Sequence, residues 1–315
     1  MSDRENPRPN ILWITSDQQR WDTLGAYGNE WVTTPHLDRL AAEGTRFEYA
    51  FCQSPVCTPS RGSFLTGRYP RTCRLRQNGA SIPESEILVT RMLADAGYRC
   101  GLSGKLHLSA CSPGLLGVGG RERRIDDGYE VFHWSHHSGT MGAADNDYYE
   151  WLDNQGLAYE QTPLRDGSRA QTSMRKDTSQ TAWCTDRAQG FIRDAASDGR
   201  PWLFSVNYFD PHPGFDPPAE FLEPYLDRLD TVPLPDYESG ELRDKPHWQR
   251  LDHEVGSNGG INKAFAWPGL TDRDHREIRA AYWATCHQKK KQDEGGVKTV
   301  AKPRKRQKTR DIHEQ

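Results

Sequence analysis

Three short apolar segments, each followed at once by polar side chains, constrain the fold of this chain more than any other feature. They are residues 11–16 (ILWITS), 98–103 and 202–209. Their length and their β-branched and aromatic residues predict buried strands. Ligands bind beyond the carboxyl ends of parallel strands, so the polar residues that follow are predicted to converge in one crevice. These residues are Asp17, Gln18, Lys105, His107, Asp210 and His212.

Helical segments alternate with these strands and predict an α/β fold. One helix is predicted to begin at Pro35, a second covers residues 87–96, and a third, residues 186–199, precedes the last of the three strands. This alternation is typical of a mostly parallel sheet with helices on both faces. Residues 110–180 and 213–270 are weakly periodic and rich in Gly, Asp, His or Pro, so we expect insertions or long loops over the crevice.

Residues 54–68, SPVCTPSRGSFLTGR, hold the most informative cysteine. Pro59 suits the first turn of a helix, and Thr58 is its predicted N-cap. Cys57 then lies at a helix N-terminus, where unpaired N–H groups favour an anion, and Arg61 faces the same way one turn later. From this pattern alone, Cys57 is either a nucleophile or a small core residue, and Arg61 is either a site residue or a surface charge.

The same segment resembles the signature of the sulfatase family, C-x-P-S-R-x-x-x-L/F-T-G. Further matches occur in family order: NILWITSDQQRWDTLGAYGN resembles the N-terminal metal strand, TPHLDRLAAEGTRF the first helix, and SGKLHL the lysine and histidine motif. They cover about residues 9–108, with weaker similarity over about 180–288. The chain is therefore identified as a member of the sulfatase family. Membership implies an alkaline-phosphatase-like α/β catalytic domain, here over residues 1–288.

The resemblance implies a role for each residue that matches a family motif. Asp17 and Gln18 would be metal ligands, and Cys57, oxidised to formylglycine, would be both the nucleophile and a further ligand. Arg61 would orient the aldehyde hydrate through charge-assisted hydrogen bonds. His212 would bind the substrate or protonate the leaving oxygen. The other residues implied to contact the substrate or the nucleophile are Lys105, His107 and, as a weaker candidate, Asn78.

The implied cofactors are the formylglycine and a divalent cation. Carboxylate, amide and hydrate oxygens suit Ca²⁺ first, and Mg²⁺ or Mn²⁺ next, better than Zn²⁺. The implied substrate is a small-molecule sulfate ester, and maturation would require a formylglycine-generating enzyme as a partner. Gln18 stands where many members have a second Asp. A Gln at this position is similar to a subset of the family that includes phosphonate monoester and phosphodiester hydrolases. That activity is one alternative, and a truncated, inactive family member is another.

The composition of the chain changes near residue 289. Residues 289–315 contain ten basic and four acidic residues, a net charge of +6, whereas residues 1–288 carry −9. The last regular element is predicted over residues 271–287, followed by a disordered basic tail. The family's later metal-binding motif is not found, so we expect a core that is incomplete at its C-terminus. The body offers no nucleic-acid recognition motif, so no nucleic-acid partner is expected.

The remaining sequence features carry few functional signals. No segment is apolar enough for a membrane span or a signal peptide, so we expect a cytoplasmic protein that does not bind membranes; a homo-oligomer is left open. The seven cysteines show no C-x-x-C spacing, and six of them receive no role. Six histidines without motif support are interpreted as surface or loop residues: His36, His133, His136, His137, His253 and His275.

Overall fold

The computed structural model describes residues 8–111, 120–137, 146–256 and 263–300. Its strands are β1 (Ile11–Ser16), β2 (Arg99–Gly104), β3 (Val131–Trp134), β4 (Thr162–Pro163), β5 (Gln171–Thr172) and β6 (Trp202–Tyr208). Its α-helices are α1 (Pro35–Glu43), α2 (Cys57–Thr66), α3 (Val89–Asp95), α4 (Asp147–Asn154), α5 (Gln180–Asp198), α6 (Ala219–Leu226), α7 (His247–Val255) and α8 (Asp272–Val300). None of the helices in these ranges is both long enough and apolar enough to span a bilayer.

Four strands form one parallel sheet in the order β1-β6-β2-β3. β6 is central, since Leu203 pairs with Ile11 of β1 on one side and with Cys100 of β2 on the other. Every residue of β6 is buried. A strand with neighbours on both sides and helices on both faces is expected to be a continuous apolar run, as WLFSVNY largely is. β4 and β5 form a separate antiparallel pair.

Each face of the sheet buries its own apolar cluster. Alternate residues of β6, including Phe204 and Val206, pack against Phe191 of α5 on one face. Leu203 of β6 and Leu102 of β2 pack on the other face with residues of α2 and the start of α3. This alternation follows the two-residue period of a strand. The predicted fold class, a mostly parallel sheet with helices on both faces, is confirmed.

The strands β1, β2 and β6 end at the same edge of the sheet. Asp17 follows β1, Lys105 follows β2, and His212 lies shortly after β6. Gly104 brings the end of β2 close to β6: its φ is +99°, and a Cβ atom there would lie 2.0 Å from the carbonyl oxygen of Asn207. Only glycine avoids this clash, so Gly104 fixes the direction in which the chain leaves the sheet.

The segment over residues 110–180 corrects one expectation. It was predicted to be an insertion or loops, but β3 within it pairs in parallel with β2 and extends the main sheet. Its four residues, VFHW, are too few to show a strand period. The segment also contains α4, whose N-cap Asn146 accepts a hydrogen bond from the Tyr148 amide at 3.0 Å. Likewise, residues 213–270 contain α6 and α7.

Two helices are longer than predicted. α5 begins at Gln180 rather than at residue 186, because Ser179 caps it by accepting a hydrogen bond from the Ala182 amide at 3.2 Å. α8 continues to Val300, past residue 287, where regular structure was predicted to stop. The Lys, Gln and Glu residues of this stretch favour helix. Disorder over residues 301–315 stays a prediction, since they lie outside the described residues.

Candidate active site

Asp17, directly after β1, is the centre of a buried group of charges. Its Oδ2 atom lies 2.5 Å from Lys105 Nζ and 3.3 Å from Arg61 Nη2. The three side chains are between 1% and 7% exposed. Buried charges must be satisfied by one another because water is excluded. Asp17 therefore ties the end of β1 to helix α2 and to the loop after β2.

The cations around Asp17 determine its charge state. Burial by itself raises the pKa of Asp17, but the charges of Lys105 and Arg61 outweigh burial and hold that pKa well below its usual range. The carboxylate is therefore ionised in neutral and mildly acidic solution. One anion against two cations leaves an excess positive charge, and such a site attracts anionic ligands.

Cys57 is the first residue of α2 and is half-buried. Its Sγ atom lies 3.7 Å from Oδ1 of Asp17. The N-cap is Val56, not Thr58 as predicted, and its side chain cannot accept a hydrogen bond. Asn78, twenty residues further along the chain, accepts one from the Thr58 amide at 3.0 Å. The position of Cys57 at a helix N-terminus is thus as predicted, but the cap comes from a distant segment.

Arg61 lies one turn after Cys57 and is 4% exposed, so it is not a surface charge. Its Nη1 atom donates a hydrogen bond to the carbonyl oxygen of Lys105 at 2.6 Å, while Nη2 contacts Asp17. The planar guanidinium holds these two partners in fixed directions. Arg61 therefore fixes the loop after β2 relative to the start of α2.

The loop after β2 is also held by Glu122, which is 4% exposed. Its Oε2 atom accepts hydrogen bonds from the His107 amide at 2.6 Å and from Trp134 Nε1 at 2.9 Å, and Oε1 accepts one from the Leu108 amide at 2.9 Å. Burial raises the pKa of Glu122, although these donors favour the carboxylate. His107 has a φ of +56°, uncommon for a residue with a side chain. Glu122 therefore stabilises a backbone conformation that His107 would not readily adopt alone.

Four histidine rings pack in sequence beside Lys105. The ring centroids are 4.4 Å apart for His107 and His136, 4.7 Å for His136 and His137, and 5.2 Å for His137 and His212. His136 and His137 were interpreted as surface or loop residues without a role. The structure corrects this, since His136 is 5% exposed and both rings join the cluster. They follow β3, the strand that the sequence did not reveal.

All four rings are neutral near pH 7. Burial lowers their pKa values and the charge of Lys105 lowers them further, to about 3 for His137 and about 4 for His212. The pKa values of His107 and His136 also lie well below the usual range, for the same two reasons. Nδ1 of His212 lies 2.9 Å from the Pro213 carbonyl oxygen, which can only accept. Nδ1 therefore carries the proton, and Nε2 carries the lone pair.

The structure brings most of the predicted site residues together at the strand ends: Asp17, Cys57, Arg61, Lys105, His107 and His212. Asn78 lies beside them through its bond to the Thr58 amide. Gln18 follows Asp17 with a φ of 58°, and its side chain is exposed. Asp210 accepts a hydrogen bond from Thr181 Oγ1 at 2.5 Å, in keeping with a role in the turn before His212. Glu122, His136 and His137 are the members that sequence reasoning missed, and the His-His pair was the one available signal.

The oxygen donors at this edge fit part of a divalent-cation site. Oδ1 of Asp17 faces Cys57, whereas Oδ2 contacts Lys105 and Arg61. Gln18, the next residue in the chain, has an exposed side chain that offers an amide oxygen. Carboxylate and amide oxygens suit a hard cation such as Ca²⁺ or Mg²⁺. Such ions take about six to eight oxygen ligands, so these residues fit as one side of a larger shell.

Known proteins resemble this chain in sequence over most of its length. The family model described as Sulfatase matches residues 9–287. "Uncharacterized sulfatase YidJ" of Escherichia coli (strain K12) is 30% identical over 262 residues, which are 78% of this chain and 46% of that protein. Arylsulfatase G of Rattus norvegicus is 28% identical over 274 residues, 80% of this chain and 50% of that protein. The chain thus spans about half the length of these curated relatives.

Among solved structures, the phosphonate monoester hydrolase SpPMH from Silicibacter pomeroyi superposes with a TM-score of 0.71 at 23% sequence identity. The match covers 93% of this chain and 59% of that one. At this level of identity, the likeness concerns the fold.

Proposed function

This chain belongs to the sulfatase family, and from that premise we propose that it hydrolyses small-molecule sulfate esters through a formylglycine made from Cys57. One observation carries the proposal. Sγ of Cys57 lies 3.7 Å from the Asp17 carboxylate, which is itself paired with Lys105 and Arg61. A nucleophile position thus adjoins a buried group with excess positive charge, which suits a reaction on an anionic ester.

Lys105 and Arg61 are the groups that would stabilise negative charge on the sulfate oxygens as the ester bond breaks. A fixed cation acts more strongly in a site without water than in solution. Their contacts with Asp17, and the bond from Arg61 to the Lys105 carbonyl oxygen, hold both side chains in place before substrate binds. Little reorganisation is then needed during the reaction.

Two groups that the protein would acquire complete this chemistry. The hydrated aldehyde of formylglycine would supply one hydroxyl that attacks sulfur and a second whose deprotonation releases sulfate. A divalent cation held by Asp17 and Gln18 would add positive charge beside the ester. We propose Ca²⁺ for this cation, because the protein donors identified here are oxygens.

His212 would exchange protons at Nε2. In the free protein this ring is neutral and its Nδ1 proton is directed at the Pro213 carbonyl oxygen, so Nε2 is ready to accept a proton from a hydroxyl. To protonate the leaving oxygen, His212 must first gain a proton, and a bound anion favours that by raising the pKa of the ring. His107, whose backbone Glu122 fixes, would contact the nucleophile.

The substitution Cys57→Ala tests the proposal. It removes the source of the nucleophile, so kcat on an aryl sulfate should fall by at least about 1,000-fold in protein produced with a formylglycine-generating enzyme. Intact mass and a peptide map would show whether residue 57 carries the aldehyde. Cys52→Ala is the matched control, since Cys52 is exposed and only five positions away. Undiminished turnover by Cys57→Ala would contradict the mechanism.

Hydrolysis of phosphonate monoesters or phosphodiesters is the second candidate function. It is favoured by Gln18, which stands where many family members have a second Asp, and by Asn78 beside the start of α2. Rates on an aryl sulfate, an aryl phosphonate and a bis-aryl phosphate, measured on one preparation, would decide between the two. A chain inert towards all three, with no thermal shift in saturating Ca²⁺ or Mg²⁺, would be a non-catalytic family member.

A further inference from the structure

Three side chains beside the proposed active site form a cluster of which the proposed reaction uses only His107. His107, Cys111 and His136 each offer one metal-ligating atom, and these atoms lie within 4.8 Å of one another. All three residues are buried, with exposures of 7%, 6% and 5%. They come from the loop after β2 and the segment after β3, so the sheet itself brings them together. We call them the soft-ligand cluster.

The polar atoms of this cluster lack the partners that buried polar atoms normally have. Nδ1 of His107 and Nε2 of His136 are both buried and have no hydrogen-bond partner among the described residues. An unsatisfied buried polar atom costs about 1–3 kcal/mol, so native proteins keep few of them. Here two such atoms belong to rings whose centroids are 4.4 Å apart, and a thiol lies next to them. This arrangement indicates a bound metal ion that accepts lone pairs from nitrogen and sulfur.

We propose that the soft-ligand cluster binds a thiophilic divalent cation of the Zn²⁺ class. Two imidazoles and one thiolate are donors typical of zinc, and three protein ligands leave a fourth position open. With bonds of about 2.0–2.3 Å, tetrahedral zinc separates its ligands by roughly 3.3–3.7 Å. The ligating atoms of the cluster already lie within 4.8 Å of one another, so small side-chain movements would bring them to that spacing. Its donors differ from the oxygen donors of Asp17 and Gln18, so the two sites would select different metals.

Nearby charges and the proton of Cys111 both affect the binding of a cation to the soft-ligand cluster. Lys105 and Arg61 oppose a cation, whereas Asp17 and Glu122 favour one. Cysteine binds a metal as a thiolate, so binding displaces the Cys111 proton into solvent and leaves a thiolate on the metal. Each imidazole binds through a ring nitrogen that carries a lone pair, and this step releases no proton. Binding thus converts a divalent ion and a thiol into a metal thiolate and one free proton.

The cluster shares His107 with the proposed catalytic machinery. A metal bound to this ring would remove it from the nucleophile and add positive charge to the pocket. The ion is therefore a reversible inhibitor of turnover, an inference that rests on the proposed function; the binding site itself does not. Chelation should restore activity.

Titration with Co²⁺, a visible substitute for Zn²⁺, tests the binding site without any assay of turnover. The intact wild-type chain, kept reduced, should bind one equivalent and show a thiolate-to-cobalt charge-transfer band with the intense visible bands of a tetrahedral ion. Excess Zn²⁺ should remove them. Cys111→Ser should abolish the charge-transfer band and weaken Co²⁺ binding by more than about 100-fold, since even outer-shell partners of a metal contribute about 10- to 100-fold.

The controls separate this cluster from the other thiols. His136→Asn should weaken Co²⁺ binding by more than about 10-fold, whereas Cys52→Ser and Cys57→Ser should keep the full charge-transfer band. A folded wild-type chain without the band, or a band that survives in Cys111→Ser, overturns the proposal. If the variants do not fold, alkylation of the wild-type chain decides, at a urea concentration at which Cys111 is labelled in the absence of metal. Zn²⁺ should protect Cys111 but not Cys52, and equal labelling of Cys111 with and without Zn²⁺ overturns the proposal.

A last comparison distinguishes failure of this inference from failure of the proposed function. If the chain hydrolyses an aryl sulfate and Zn²⁺ does not inhibit this turnover, the regulatory role is wrong and the proposed activity stands. If the chain binds Co²⁺ at this cluster but has no sulfatase activity, the proposed metal site stands and the proposed function is wrong.

Discussion

The two walls of the proposed site are built differently. The open wall is the chain from Gln18 to Trp21, where Gln18 and Arg20 are exposed and Trp21 is 68% exposed. The closed wall consists of buried residues, each at most 7% exposed: Lys105, His107, Cys111, Glu122 and His136. The side chains of the closed wall therefore lie inside the protein, and most of those of the open wall lie at its surface.

The walls also differ in what holds them. On the closed wall, Glu122 and Arg61 contact backbone groups of the loop after β2 directly. On the open wall, the hydroxyl of Tyr282 in α8 donates to the Gln18 carbonyl oxygen at 2.9 Å and accepts from the Arg20 amide at 2.8 Å. The buried side chains are thus held by direct contacts with the loop after β2, whereas the exposed Gln18, a ligand in the proposed function, is positioned through its main chain.

The strongest test of this contrast is Lys105→Met on the closed wall. It removes the shorter of the two cation contacts of Asp17 and leaves the carboxylate buried with Arg61 alone. Losing one partner of a buried charge lowers the free energy of unfolding by about 3–5 kcal/mol, and because Arg61 still pairs with Asp17 we expect a loss near the lower end of that range in urea denaturation. Lys176→Met, which removes an exposed ion pair with Glu220, is the control and should cost less than about 1 kcal/mol.

A double variant separates charge from packing in that result. Lys105→Met alone keeps the buried ion pair between Asp17 and Arg61, whereas Asp17→Asn combined with Lys105→Met leaves the Arg61 guanidinium without an anion, so the double variant should be less stable than Lys105→Met. Equal stability of the single and double variants would show that the closed wall depends on shape rather than on charge.

Glu122→Gln is expected to have the next largest effect. The amide group keeps the shape but presents N–H groups to N–H donors, so at least one of the three bonds to Glu122 must be lost. We expect a loss of about 1–3 kcal/mol in the free energy of unfolding, together with a lower kcat on an aryl sulfate, because the His107 backbone is released. Glu84→Gln, at a residue exposed to 82%, is the matched control.

On the open wall, Tyr282→Phe removes one hydroxyl and two hydrogen bonds. The expected loss of stability is about 1–2 kcal/mol. The loop that carries Gln18 should also be freer, so the Ca²⁺ concentration needed for half of the maximal thermal shift should rise. Tyr69→Phe, at an exposed tyrosine, should change neither quantity. An unchanged Ca²⁺ response in folded Tyr282→Phe would show that the open wall needs no such support.

A separate test, of pH dependence rather than of either wall, concerns the buried carboxyl of Asp216. Its partners, Tyr159 and Gln161, are neutral, and burial raises its pKa to about 7, whereas cations lower the pKa of Asp17. The pKa of Asp in an unfolded chain is about 3.9, so Asp216 binds its proton more tightly in the folded state than in the unfolded state. This contribution to stability is therefore full below about pH 4 and lost as the pH rises through about 7. Asp216→Asn should flatten urea-derived stability over that range, and an unchanged slope would assign the pH dependence elsewhere.

The sequence predicted the parts of the site that local patterns specify. Asp17, Lys105 and His212 were predicted to converge because each follows an apolar strand, and the motif around Cys57 indicated a helix N-terminus. Glu122 and His136 were not found, since the segments that carry them show no usable period. The Asn78 cap on α2 was missed for a similar reason, because a cap from twenty residues away leaves no mark near the helix it serves.

The Tyr282 hydroxyl has a consequence for the order in which the site is assembled. It meets the Gln18 carbonyl oxygen across a sequence separation of 264 residues. A ribosome that adds about 5–20 residues per second needs roughly 10–45 s to travel from Cys57 to Tyr282. For that interval, the growing chain carries its cysteine motif without the contact between Tyr282 and Gln18 that supports the open wall. A modifying enzyme that acts on Cys57 would meet the segment most readily during this interval, while the pocket is still unfinished.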